Sequence, residues 1–168
     1  MTNVFELESK DTYSFDEFWS VRDDNEFAYH LAHYIFAKSI HRKLPLSTTE
    51  QNIWDLEWLY TRICGEGFCD LFYQQYSLAD CKRLEVFMRD LNLQQLADWF
   101  AEAKDIYCRH RTDLAESEYQ QLEPFSLSGA EGDRFDELGK LFIGERSELF
   151  DIGWRIRAYA DQHRSEIT

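Results

Sequence analysis

Apolar residues recur three and four positions apart along most of this chain, and no stretch shows the clear period-two alternation of a half-buried strand. That periodicity restricts the chain to helices packed on helices. Asn25 is placed to cap a helix whose face carries Phe27, Leu31, Tyr34 and Ile35, with Pro45 as its stop. Residues 47–50 (STTE) have the spacing of a capping box and open a helix aligning Ile53, Leu56, Tyr60 and Ile63. Gly65 and Gly67 end it, and residues 68–76 form a short helix before Ser77. A second cap at 77–80 (SLAD) precedes Leu84, Phe87, Met88 and Leu91 on one face. Asn92 punctuates, and Leu93, Leu96, Phe100 and Tyr107 define a helix reaching about Arg111.

Residues 112–132, with Pro124, Gly129 and Gly132, read as a loop with one helical turn near 116–122. Two helices follow: one over 133–143, and one from Ser147 that uses Leu149, Ile152, Ile156 and Tyr159. A capping-box pattern at 14–17 (SFDE) predicts a short helix whose Phe15, Phe18 and Trp19 dock on the core. The expected fold is all-α: a single compact domain of six to eight helices with an acidic surface. Its 168 residues suit one domain, and 44% apolar with 16% aromatic residues suffice for a core.

No apolar run approaches the roughly 18 residues that a membrane span needs. The start, MTNVFELESKD, has neither the basic nor the apolar region of a secretory signal. Cys64, Cys69, Cys81 and Cys108 fall at irregular spacings without a CxxC pair, which predicts reduced thiols, several of them buried. The expected location is the cytoplasm.

The net charge of −14 is unevenly placed. Residues 1–26 hold eight acids against Lys10 and Arg22, and residues 113–151 hold eleven against Arg134, Lys140 and Arg146. The middle, 27–112, is nearly neutral with eleven acids and ten bases. Such a field repels nucleic acid and anionic membranes and attracts basic proteins. On a helix, side chains three or four apart have Cβ atoms about 5–6 Å from each other. Asp133 with Asp136 and Glu137, and Glu145 with Glu148, can therefore form rows of negative charge, joined by Glu116, Glu118 and Glu123 if 116–122 is helical. That spacing is on the scale of the charge repeat along one DNA strand. The plainer reading is a solvated acidic face.

Catalytic and metal signatures are missing from the pattern. His30 and His33 stand three apart with His41 two turns on, but no HExxH accompanies them and exposed helix-face histidines account for the spacing. The segment EGDRFDELG lacks the ligand order of a calcium loop. Cys64 and Cys69 frame a glycine turn, where small buried thiols are the simpler reading. GEGF has neither the third glycine nor the lysine of a phosphate loop, and no GxSxG occurs. No cofactor is expected, and the chain is read as a binding protein rather than an enzyme.

Residues 49–77, TEQNIWDLEWLYTRICGEGFCDLFYQQYS, carry spaced aromatics and an acid (Trp54, Glu57, Tyr60) into Gly65, Gly67, Phe68, Phe72 and Tyr73. This segment, with the helices after it to about residue 110, resembles the bacterial family of small all-α domains that includes a neisserial DNA mimic. The resemblance implies an acidic homodimer that binds a helix-turn-helix transcription factor and blocks it from its operator. Gly65, Gly67 and Phe68 read as structural. The acids that would stand in for phosphates lie outside the matched core, and the charge pattern nominates Asp16, Glu17, Asp23, Asp24, Glu116, Glu118, Glu131, Asp133, Asp136 and Glu137. Two other readings remain: an acidic adaptor or immunity-type protein for a basic partner unrelated to DNA, and an enzyme built on the His30/His33 face.

Overall fold

The computed structural model describes residues 15–72, 77–110, 127–144 and 147–168. The described residues form helices and no strand, so the fold is all-α. The helices are α1 (Phe15–Trp19), α2 (Asp24–Phe36), α3 (Thr48–Asp70), α4 (Leu78–Asp90), α5 (Gln94–His110), α6 (Gly129–Ile143) and α7 (Gly153–Gln162). A π-helical turn, Ala37–His41, extends α2, and 3-10 turns lie at Glu148–Asp151 and Arg164–Glu166. Residues 1–57 with 151–168 make one compact unit, and residues 58–150 make the other.

In the first unit α2 packs on α1 and along α7. Phe18, Phe27, Leu31, Ile35, Ile53 and Ile156 are wholly or almost wholly buried, each aromatic or branched side chain contributing about 1.5–3 kcal/mol by leaving water. The expected docking of the short N-terminal helix is observed: Phe18 stacks within 5.9 Å of Phe27 and 5.2 Å of Tyr34. Arg164 lies 4.3 Å from the Trp19 ring centre, a cation–π contact.

Asp23, not Asn25, caps α2, its Oδ1 accepting from the Glu26 N–H at 2.9 Å. Asn25 sits inside the first turn, where α7 meets it. A Cβ on Gly153 would fall 2.2 Å from Asn25 Oδ1 and 2.6 Å from its backbone nitrogen. Only glycine permits that approach.

The capping box at 47–50 forms as its spacing predicts. Glu50 N–H donates to Ser47 Oγ at 3.1 Å, and Ser47 N–H returns to Glu50 Oε2 at 2.8 Å. The Glu50 carboxylate does more, because both its oxygens lie 2.7 Å from Lys38 Nζ and Oε1 accepts from Thr168 N–H at 3.0 Å. Lys38 also donates to Thr168 Oγ1 at 2.9 Å. Glu50 is fully buried and Lys38 nearly so. An ion pair this dry is tolerable only because donors satisfy both carboxylate oxygens.

The second unit is built on phenylalanine rings. At Gly67 (φ 72°, ψ −172°) α3 kinks, in the left-handed region that glycine occupies without a Cβ penalty, and Phe68 follows directly. Phe68 stacks on Phe72 with ring centres 5.5 Å apart and 10° between planes. Phe100, Phe135 and Phe142 surround Phe68 at 5.4–6.1 Å, offset arrangements that the ring quadrupoles favour. The sequence expectation of a break at the glycines therefore holds, and Phe68, 2% exposed, is structural.

α4 begins with the predicted cap at Ser77, whose side chain and that of Asp80 exchange hydrogen bonds with each other's backbone N–H. The Asp80 carboxyl is held below its ordinary value, chiefly by the Ser77 hydroxyl. α4 ends at Asn92, whose φ of 58° is left-handed. Leu93 N–H reaches Met88 O at 2.8 Å and Asn92 N–H reaches Arg89 O at 2.9 Å, the two bonds of a Schellman stop. Between α4 and α5, Glu85 takes Lys104 at 2.9 Å and Arg89 at 3.2 Å, while Arg89 also meets Asp98 at 2.9 Å. α6 starts at Gly129, four residues before the periodicity predicts. In its first turn Glu131 meets Arg109 and His110 of α5. The expected helical turn at 116–122 lies outside the described residues.

Candidate partner-binding acids

α6 carries four of the nominated acids. Its apolar face buries Phe135, Leu138 and Phe142, which leaves Asp133, Asp136, Glu137 and Lys140 exposed. Asp133 and Asp136 form no ion pair with any described residue. Glu137 does: Arg134 reaches it at 2.8 Å and clamps Glu102 with two further bonds of 2.8 Å. The two carboxylates hold the Arg134 guanidinium above its ordinary value, Glu102 foremost, and the arginine in turn lowers Glu102.

Glu131, in the first turn of α6, is also held. His110 approaches at 2.6 Å and Arg109 at 2.7 Å, so Glu131 stays below the usual carboxylate range, first through His110 and then Arg109. These contacts tie the end of α5 to the start of α6. Both acids remain about half exposed, a setting in which water screens most of an ion pair's attraction.

The nominated acids of the first unit have mixed employment. Asp23 is the α2 cap and is exposed, and Asp24 lies 3.5 Å from Arg157. Arg157 is anchored besides by a 2.7 Å bond to the Val21 carbonyl and by stacking 4.5 Å from the centre of the Phe27 ring. Glu17 is exposed at the surface of α1, and Asp16 lies in the same helix. Glu116 and Glu118, like Glu123 and Glu145, lie outside the described residues.

The alternative sites are occupied by ordinary packing. His30 lies 3.7 Å from Glu26, and His33 stacks on Tyr29 with ring centres 4.2 Å apart. Among the described residues no three histidines, cysteines or acids gather as a metal site. Cys81 is buried, which pushes its thiol up to about 12, far from a reactive thiolate. Cys64 is exposed, against the expectation of a buried thiol. Among the described residues no helix is long and apolar enough to cross a membrane.

Two features escape the sequence. Burial raises the Glu57 carboxyl above its ordinary value, although its spacing gives no sign of burial. A cleft of about 200 Å³ also opens in the second unit, lined by Ile63, Gly67, Phe68, Phe135, Asp136, Gly139, Lys140 and Ile143. Its walls come from α3 and α6, segments more than sixty residues apart, so no local pattern announces it.

Fold and surface thus define an all-α protein with acidic residues exposed on α6, α1 and the start of α2. The DMP19-like protein family matches residues 45–163, and the chain belongs to that family. It is the DNA-mimic family that segment 49–77 resembles. No curated protein and no solved structure matches the chain.

Proposed function

We propose that this protein binds a helix-turn-helix transcription factor through surface carboxylates and so withholds it from operator DNA. The observation that carries the reading is the exposed row Asp133, Asp136 and Glu137 on α6, two of whose members have no ion pair with any described residue. From Asp133 to Glu137 the helix rises about 6 Å, while one DNA strand bears a charge per 3.4 Å of axis. Lysines and arginines that neutralise phosphates would meet these carboxylates at comparable intervals. Glu131 joins the row once a partner's arginine replaces Arg109 and His110, and Glu137 is released from Arg134 in the same way. Asp16, Glu17, Asp23 and Asp24 supply a second acidic group, and Glu116 and Glu118 are further acids assigned to partner binding.

Action as a homodimer suits the proposal, because two copies present paired acidic surfaces to the two-fold symmetry of most such factors. Family membership supports a protein partner of the DNA-binding kind. The test is a pull-down from bacterial lysate on the immobilised protein, eluted with duplex DNA. Release of a helix-turn-helix protein by DNA is expected. A basic partner that leaves with salt but stays bound under DNA would instead establish an acidic adaptor.

A further inference from the structure

The cleft in the second unit lies beside the α6 carboxylates and differs from them in chemistry. Ile63, Phe68, Phe135 and Ile143 give it apolar walls. Space is left by two glycines: a Cβ on Gly67 would meet nothing within 4 Å, and one on Gly139 would meet only Phe68 Cδ2 at 3.9 Å. Asp136 and Lys140, one helical turn apart on α6, also line it. Asp136 is exposed and has no ion pair with any described residue.

We infer that this cleft is an anchor site for one large apolar side chain of the basic partner, a phenylalanine or leucine followed or preceded by lysine or arginine. Its volume of about 200 Å³ falls below the 300–1,000 Å³ of small-molecule pockets and suits a single side chain. The exposed carboxylates Asp133, Asp136 and Glu137 outnumber Lys140 along this edge of the cleft, so charge complementarity selects a cation as the flanking residue. The inference rests on the reading above and deepens it. A carboxylate row attracts any phosphate-binding protein, whereas an apolar anchor recognises something that DNA does not imitate. Interfaces draw much of their affinity from such central, desolvated pockets, while exposed charge pairs chiefly steer the encounter.

Two seven-residue peptides test it, each with three lysines and arginines on either side of a central phenylalanine or a central alanine. The phenylalanine peptide should bind about tenfold tighter, as burial of one aromatic side chain predicts. It should also shift the methyl resonances of Ile63 and Ile143. Gly139→Leu fills the cleft without touching a charge and should abolish the tenfold preference, leaving binding of the alanine peptide unchanged. Gly139→Ala, whose added methyl makes only ordinary contact, serves as a second variant should Gly139→Leu fail to fold, and it should narrow the preference. Equal binding of the two peptides by the wild-type protein would overturn the anchor, as would a preference that survives filling. Failure of the underlying reading has a different signature: the partner captured from lysate would stay bound under duplex DNA and leave only with salt.

Discussion

Glu50 and the α6 carboxylates are the same chemistry in opposite settings. Glu50 is fully buried, with Lys38 on both oxygens and backbone N–H donors from Ser47 and Thr168. Asp133, Asp136 and Glu137 stand in water, and only Glu137 has an ion pair with a described residue. A buried carboxylate must be satisfied inside the fold, because no partner can reach it and desolvation costs several kcal/mol. An exposed one costs the fold almost nothing and stays available for an incoming cation. The acid count of the chain therefore says little. Burial and partners divide the acids that hold the molecule together from those free to bind.

That division predicts a split between stability and affinity. The largest effect belongs to Glu50→Gln, which strands Lys38 in the core and should remove about 3–5 kcal/mol from unfolding in urea. Pairing Lys38→Met with Glu50→Leu should recover most of that loss, since both charges then vanish together. Reversal of the exposed row, Asp133→Lys with Asp136→Lys and Glu137→Lys, should instead weaken partner binding about 100-fold with the helical circular dichroism intact. A large loss of stability in that variant would erase the contrast.

Gly153→Ala comes next. Its Cβ would collide with Asn25 backbone as well as side chain, so α7 must shift on α2 at a cost of about 1–3 kcal/mol, read as a lower Tm. Smallest is the Glu131 contact, which sharpens the comparison from the exposed side. Glu131 lies below its ordinary value of 4.5 when folded, so its contribution is present above that pH and disappears as pH falls through the lower folded value. Wild type and Glu131→Gln should differ slightly in stability near neutrality and converge in acid.

What the sequence reveals follows the range of the forces involved. The caps at Ser47 and Ser77, and the stop at Asn92, are bonds among residues within six positions of each other, and their spacing shows directly. The apolar faces of α2 to α5 are legible for the same reason. Asn25 misled because two residues able to cap stand near one helix start, and it is the Asp23 carboxylate that reaches the Glu26 N–H. Near the start of α6, Glu131 meets Arg109 and His110 across 22 and 21 positions. Lys38 and Thr168 meet Glu50 across 12 and 118 positions, and the cleft joins α3 to α6. Among the acids, sequence supplied the exposed row on α6 but not Arg109 beside Glu131 or Glu102 beside Arg134, since ion pairs between helices leave no local signature.

The central claim is that partner and duplex contend for one surface. Its most direct measurement follows the anisotropy of a labelled operator duplex bound to the captured transcription factor while this protein is added. The account predicts complete displacement of the duplex, with a midpoint that rises in proportion to operator concentration. For the Asp133→Lys, Asp136→Lys, Glu137→Lys variant it predicts a midpoint about 100-fold higher. A stable ternary complex of duplex, factor and this protein would contradict it.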